Sequence, residues 1–365
     1  MALTRTYYRV AEHLFAVESS NTALWNVMSN YEPFRVERKI NDNIDNVSRQ
    51  STPCRDTDME CDEHSDCIFT LRVERGDSAP QKSADFSGTP QAIRREGEGY
   101  THVVTDNAEE DMPRIEVYRA IRREGDEARE WLFRVAMVAN APICCEMECS
   151  EAFTEGVLRI AADCQDVRFC IDNALMLLFA FRTAPMMTLE MHAAVVVRPS
   201  LEDARGTSYR TPSGLQDATL QAKGYLFLGH SGTGKSTHAR QWLAAFDDAW
   251  LLNDDNPILR VMEDGEVRVY GSPWSGKTPC YNNAYARLGG IVKLSQAPHN
   301  KIRTISLPEA YAYILSSASG LKMDRQMADH LHETVKHVVM NVACYHLECL
   351  PNTEAAEECW EEVRF

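Results

Sequence analysis

The 365-residue sequence lacks the features that mark several large classes of protein. No block of Lys and Arg is longer than a dipeptide such as Arg94-Arg95, and the 54 acidic residues outnumber the 38 basic ones, so the formal net charge is −16. This charge would repel a nucleic acid or an anionic membrane overall, and we expect neither as a partner. The chain also contains no internal repeat and no low-complexity tract, which argues against fibrous and disordered proteins.

Long apolar runs are also absent. The first ten residues carry no apolar segment of the secretory type, and the longest apolar runs, residues 174–181 and 193–197, are shorter than the roughly 18–20 residues that cross a bilayer. We therefore expect a soluble, cytoplasmic protein.

The 12 cysteines have no spacing typical of a metal site. Cys61, His64 and Cys67 do not follow zinc-knuckle spacing, and we expect no metal there. In a reducing compartment cysteines are more often small buried hydrophobic residues than disulfides. The same interpretation applies to Cys144 and Cys145, which lie in an acidic patch that would not favour a thiolate nucleophile.

Hydrophobic periodicity divides the chain into two parts. Residues 1–166 carry short alternating runs, at 67–74, 114–121 and 131–136, that predict half-buried strands. Between them, residues 41–63 and 75–99 are polar and predict long loops. Residues 167–365 alternate between helix and strand patterns, with a polar stretch at 198–222 that we interpret as an insertion. The predicted fold class is a mixed α/β core preceded by a β-rich N-terminal domain.

The individual elements of the second part follow the same periodicity. Helical spacing predicts helices at 173–182, 307–316, 327–342 and 353–363, and apolar runs predict strands at 189–197, 224–228, 250–252, 267–270, 290–294 and 346–350.

The strongest motif follows the predicted strand 224–228 and precedes a helical pattern that extends from Lys235 to about Phe246. It matches G-x-x-x-x-G-K-[ST] and reads Gly229-His230-Ser231-Gly232-Thr233-Gly234-Lys235-Ser236. Its glycines let backbone N–H groups approach phosphate oxygens, while the helix presents its positive end to the same anion. Lys235 would then contact the β- and γ-phosphates, and the Ser236 hydroxyl would bind Mg²⁺.

Two adjacent acidic residues, Asp254 and Asp255, follow the predicted strand 250–252. Acidic groups beside an apolar core need a partner, and Mg²⁺ beside the phosphates is a suitable one. Because neighbouring strand residues point to opposite sides, one of the two aspartates is predicted to bind the metal, while the other, redirected by the turn at Asn256-Pro257, meets an acceptor hydroxyl. A solvated turn ending at Asn256-Pro257 is the structural alternative.

These motifs resemble the C-terminal domain of HPr kinase/phosphorylase, in a wider group that includes ATP-dependent phosphoenolpyruvate carboxykinase. The resemblance extends from His192 to the C-terminus and includes the glycine motif, the acidic pair, and the segments 270–280 and 296–302, which look like bacterial HPr-kinase-like proteins of uncharacterised substrate. Thr237 stands where HPr kinases usually carry Glu. Related kinases often form rings, so a homo-oligomer is compatible with the resemblance.

The resemblance implies roles for individual residues. Asp255 matches the catalytic acid/base, Asp254 its metal-side partner and His192 a histidine at the rim of the active site. The nucleotide site would comprise Gly229, His230, Ser231, Gly232, Thr233, Gly234, Lys235, Ser236 and Thr237. The cofactors implied are ATP and Mg²⁺.

One further segment, Gly271-Ser-Pro-Trp-Ser-Gly-Lys277, has two interpretations. It can be a loop that closes over the phosphates, with Lys277 neutralising developing charge. It can also be a Gly/Pro turn in which Trp274 packs and Lys277 is solvated.

The leading functional hypothesis is an ATP- and Mg²⁺-dependent kinase that phosphorylates a hydroxyl of a small molecule or of a protein side chain. A nucleotide-sensing protein without transfer, or a carboxykinase acting on oxaloacetate, are the alternatives. The sequence does not identify the acceptor.

Overall fold

The computed structural model describes residues 3–37, 67–75, 93–95, 98–106, 113–121, 130–199, 222–276 and 278–364. Within these ranges the protein is a mixed α/β structure built around two β-sheets. The predicted loop 41–63 and the residues Cys61, His64 and Lys277 lie outside the described residues, as does most of the polar stretch 198–222.

The first sheet has ten strands and is mainly antiparallel, in the order β3-β1-β2-β4-β10-β9-β8-β7-β6-β5. Its strands are β1 (Thr4–Val10), β2 (His13–Ser19), β3 (Arg35–Val36), β4 (Cys67–Arg75), β5 (Ile93–Arg95), β6 (Glu98–Asp106), β7 (Arg114–Ala120), β8 (Trp131–Ala136), β9 (Ile143–Cys149) and β10 (Glu155–Ile160). Alternation along these strands places residues such as Val117 and Phe133 in the main hydrophobic cluster, while their neighbours Tyr118 and Leu132 form a small cluster with Tyr100 on the other face.

The second sheet contains the strand that precedes the glycine motif. Its strands are β11 (Thr188–Glu190), β12 (Ala193–Pro199), β13 (Ala222–Leu228), β14 (Trp250–Asp255), β15 (Ile258–Val261), β16 (Val267–Tyr270), β17 (Tyr285–Gln296), β18 (Lys301–Thr304) and β19 (Cys344–Cys349). The main path runs β11-β15-β16-β17-β13-β12-β14, and β19 pairs with both β17 and β18. Strand β13 is parallel to β17, whereas β12 is antiparallel to both of its neighbours.

Four of the six helices in the described residues begin where a side chain accepts one of their first backbone N–H groups. They are α1 (Leu24–Val27), α2 (Val167–Thr183), α3 (Lys235–Ala245), α4 (Leu307–Ser317), α5 (Arg325–Asn341) and α6 (Thr353–Val363). Asp166, Ser306, Asp324 and Asn352 cap α2, α4, α5 and α6 in this way, which explains why these helices start there.

Helix α2 is the central element of the core. The Phe179 ring packs against Phe15 of the first sheet and Trp274 of the second half, at centroid distances of 6.4 and 5.3 Å. Among the described residues, one segment, Val167–Met186, is long and apolar enough to cross a membrane, and 61% of that window is buried inside the protein. Its apolar character therefore matches its position in the core.

The structure corrects several sequence predictions. The predicted continuous strand 189–197 is two strands, β11 and β12, with a break at Met191 and His192. The predicted loop 75–99 contains β5 and the start of β6.

The β-rich N-terminal part and the mixed α/β class are confirmed. The domain division at 166/167 stays a prediction, because one hydrophobic cluster runs through both sheets.

We expect Phe179→Ala to lower the free energy of unfolding by about 3–5 kcal/mol, because a cavity would form between the two sheets. Urea denaturation followed by circular dichroism measures this. Met340→Ala, at an exposed position of α5, is the control and should change the stability by less than about 0.5 kcal/mol. Equal effects of the two substitutions would show that α2 does not hold the core together.

Candidate functional site

The glycine motif forms a loop between the end of β13 and the start of α3. Gly232 and Gly234 have φ values of 74° and 108°, which residues with a side chain rarely adopt. Gly229 lies so close to Thr233 that a Cβ atom would be 3.0 Å from the threonine side chain. Gln296, at the end of the neighbouring strand β17, donates hydrogen bonds to the carbonyl groups of Gly232 and Thr233. These contacts fix the loop in one conformation at the N-terminus of α3, and helix N-termini are positions where anions bind.

Lys235, the first residue of α3, lies beneath this loop. Its Nζ donates to the carbonyl oxygens of Gly229 at 3.0 Å and His230 at 3.4 Å, and lies 3.0 Å from His192 Nε2. Only 8% of the residue is exposed. Burial lowers the pKa of Lys235, whereas the charges of Asp255 and Asp254 raise it. Lys235 is thus a buried cation facing two carboxylates.

His192 lies at the break between β11 and β12. Its backbone N–H donates to Ser317 O instead of to a neighbouring strand of the sheet. The ring of His192 is thereby directed towards Lys235 and the acidic pair. His192 Nε2 is 3.6 Å from Asp255 Oδ1 as well as 3.0 Å from Lys235 Nζ. Burial, followed by the charge of Lys235, lowers the pKa of His192 to about 4. The imidazole is therefore neutral at pH 7 and accepts a hydrogen bond from the lysine.

Asp254 and Asp255 end strand β14, opposite Ala194 and Ala193 of β12. This pairing brings the acidic pair to the same edge of the sheet as the glycine loop. Asn253 determines the turn: its Oδ1 accepts the N–H groups of Asp255 and Asn256. The alternative of a fully solvated turn is wrong, because Asp254 is 5% exposed.

The two aspartates differ in their surroundings. Burial raises the pKa of Asp255, while the charge of Lys235 lowers it and that of Asp254 raises it. Asp254 Oδ1 is buried and has no hydrogen-bond partner among the described residues. An unpaired buried carboxylate oxygen is costly unless a cation binds it. Asp254, with the Ser236 hydroxyl beside Lys235, therefore fits an oxygen-ligated Mg²⁺ ion.

Residues 271–276 form a fixed wall of the site. Gly276 N–H donates to Asp254 O at 3.2 Å, and a Cβ on Gly276 would be 2.8 Å from the same oxygen. Trp274 is buried, and its Nε1 donates to Tyr31 OH at 2.8 Å. Asn253 donates to Trp274 O from the other side. Buried contacts therefore hold Trp274 as the Gly/Pro-turn interpretation predicts, whereas closure over the phosphates by Lys277 stays a prediction, because that residue lies outside the described residues.

A cavity of about 500 Å³ lies between the first sheet, α2 and the segment after α4, and its lining includes Asn256, the residue that follows the acidic pair. Its walls are mainly apolar, with Glu190 and Asn256 at the side of the site and Lys322 and Asp106 elsewhere in the lining. Glu190 is 2% exposed, and its Oε2 has no hydrogen-bond partner among the described residues. Burial, assisted by the charge of Asp255, raises the pKa of Glu190 well above its ordinary value.

The structure thus brings Lys235, His192, Asp254 and Asp255 together with the glycine loop. The sequence analysis missed Asn253, Glu190 and Tyr31. An Asn directly before two aspartates was a usable signal for Asn253, since Asn side chains commonly accept backbone N–H groups two residues on. Glu190 and Tyr31 had no such signal, because only the tertiary structure places them here.

No family model matches the chain, and no curated protein matches it. The function is therefore inferred from the geometry and chemistry of the site.

The buried Glu190 predicts a pH-dependent stability. A carboxyl whose pKa is raised by folding stabilises the protein below its unfolded pKa, and this contribution is lost as pH rises. We expect Glu190→Gln to match the parent near pH 4 and to become more stable than the parent as pH increases, by up to about 1.4 kcal/mol per pH unit. Thermal unfolding across this pH range measures it.

Glu333→Gln, on an exposed face of α5, is the control and should show no such trend. A pH-independent difference between Glu190→Gln and the parent would mean that Glu190 is ionised in the folded protein.

Proposed function

We propose that the protein is an ATP- and Mg²⁺-dependent kinase that transfers the γ-phosphoryl group to a hydroxyl of a small molecule. One observation carries the proposal: the glycine loop, Lys235 and Asp255 lie together at one edge of the sheet. His192 Nε2 contacts both side chains, at 3.0 Å from Lys235 Nζ and 3.6 Å from Asp255 Oδ1. The resemblance of this chain to the HPr kinase group supports the same proposal.

The loop and Lys235 are the phosphate-binding groups. Backbone N–H groups at the start of α3 and the Lys235 ammonium group together supply positive charge to the nucleotide phosphates. In phosphoryl transfer most of the catalysis comes from such positioning and charge neutralisation. Lys235 is buried, so its charge acts in a poorly screened environment.

Ser236 and Asp254 are the proposed metal ligands. When bound, Mg²⁺ neutralises phosphate charge and fixes the orientation of the nucleotide. Asp254 contributes a carboxylate that is already desolvated, and the hydrogen bond from Gly276 N–H to its backbone oxygen fixes its position.

Asp255 is the proposed general base. It accepts the proton of the acceptor hydroxyl, a role for which a pKa raised towards the working pH is favourable. Asn253 and Ser275 hold its backbone, through a side-chain hydrogen bond and a β-bridge respectively. His192 contacts both Lys235 and Asp255 and, because it is neutral, adds no charge that would change the basicity of the aspartate.

The cavity beside Asn256 supports a small-molecule acceptor. Pockets for small ligands are typically about 300–1,000 Å³, mainly apolar, with a few polar groups that orient the ligand, and this cavity has about 500 Å³. A neutral Glu190 can both donate and accept a hydrogen bond. The acceptor is therefore proposed to be a mainly apolar, uncharged alcohol.

Replacement of the two charged groups tests the catalytic assignment. We expect Lys235→Met to reduce kcat/KM about 100- to 1,000-fold through loss of charge neutralisation.

Asp255→Asn should reduce kcat about 100- to 10,000-fold while nucleotide binding persists. Transfer of labelled γ-phosphate to alcohols from a metabolite extract, and nucleotide binding by calorimetry, measure the two effects.

The matched controls are Lys336→Met and Asp329→Asn on α5, which should behave like the parent. Tight ATP binding by the parent without any transfer would favour a nucleotide sensor instead. Label that appears on protein rather than on small molecules would overturn the proposed acceptor class.

The pH dependence of kcat/KM follows from the same residues. Asp255 must be ionised to accept a proton, and burial raises its pKa above 3.8. We therefore expect kcat/KM to fall as the pH decreases towards the pKa of Asp255, at a pH above 3.8. His192 should contribute no inflection near its ordinary pKa of 6.5, since its pKa is lowered to about 4. A limb near 6.5 that is lost in His192→Gln would show that the imidazole titrates during turnover.

A further inference from the structure

Four cysteines lie together in the core, outside the sheet that carries the glycine loop, and the thiols of three of them converge. Strand β9 pairs with β8 so that Val135 faces Cys145 and Ala136 faces Ile143. Cys144 is left over as the extra residue of a β-bulge. A bulge changes the direction of a side chain relative to simple alternation.

The bulge has a visible consequence for the two adjacent cysteines. Beyond it, Glu146 and Glu148 alternate with Met147 and Cys149, and only the latter pair belongs to the hydrophobic core. Regular alternation would place Cys144 with the glutamates. Instead, Cys144 and Cys145 are both buried in the same hydrophobic cluster.

Two more cysteines approach from the segment after β10. Cys164 lies in the turn that leads from β10 to α2, and Cys170 lies near the N-terminus of α2. The sulfur atoms of Cys144, Cys164 and Cys170 all lie within 4.8 Å of one another, and the Cys164–Cys170 distance is 3.6 Å. The Cys145 thiol interacts with those of Cys144 and Cys170.

The three sulfur atoms that converge within 4.8 Å can bind one metal ion, and the neighbouring Cys145 thiol is available as a fourth ligand. With a Zn–S distance of about 2.3 Å, tetrahedral geometry separates the sulfur atoms by about 3.8 Å. Thiolates are the ligands that Zn²⁺ prefers in closed structural sites.

We propose that Cys144, Cys145, Cys164 and Cys170 bind one structural Zn²⁺ ion. Binding exchanges the thiol protons for the ion, the protons pass to solvent, and no oxidation is involved. The ion would connect strand β9, the turn before α2 and α2 itself. The site is independent of the proposed kinase activity.

Metal analysis of the purified full-length chain tests the proposal. The parent, expressed with zinc and purified without a chelator, should contain about one zinc per chain. Cobalt substitution should give the thiolate-to-cobalt charge-transfer absorption in the near ultraviolet, which Co²⁺ bound by Asp254 and Ser236 would not produce.

The variants Cys164→Ser and Cys170→Ser should lose most of the zinc and the charge-transfer absorption. Cys359→Ser, another buried cysteine in α6, is the matched control and should retain both. Removal of zinc from the parent by a chelator should lower its thermal unfolding midpoint.

A folded parent that contains no zinc and gives no thiolate absorption with Co²⁺ would overturn the proposal. A Cys164–Cys170 disulfide in non-reducing peptide mass spectrometry would overturn it as well. These two results come from the parent protein, so the test holds even if the serine variants do not fold.

Discussion

The antiparallel pairing of β12 with β13 on one side and β14 on the other determines where every candidate catalytic group lies. This pairing places the start of β12 beside the ends of its two neighbours, where the glycine loop and the acidic pair are found. His192 stands at that start and contacts both. Since the three strands are held by backbone hydrogen bonds and covered by apolar residues on both faces, the groups are preorganised rather than assembled on binding.

Preorganisation of this kind requires burial of polar groups, which is unfavourable for folding. Asn253 offsets part of that cost, because both ends of its side chain are hydrogen-bonded to backbone groups around the acidic pair. Asp254 Oδ1 and Glu190 Oε2 are buried without a partner among the described residues. Such groups reduce stability and commonly occur where a ligand or cation completes the hydrogen bonding. Both lie at the site, which is consistent with the proposed function.

The N-terminal part contributes directly to the site. Tyr31 and Asn30 hold residues 273 and 274, and β6 and β7 line the cavity beside Asn256. Helix α2 lies against both sheets, and its first turn carries one of the four cysteines that lie together in the core. A zinc ion at that position would stabilise the start of the helix that forms one side of the cavity. The proposed zinc site and the cavity proposed for the acceptor therefore share helix α2.

The sequence by itself determined the local features: the β-rich first part, most elements of the second, and the glycine loop with its lysine, because periodicity and glycine conformation act over a few residues. The break at His192 and the bulge at Cys144 were not predictable, since both are irregularities of strand pairing that depend on residues far away in the chain. The same is true of Glu190, Tyr31 and the four thiols. Only the tertiary structure decided which polar groups share a buried space, because burial and the resulting pKa shifts depend on long-range packing.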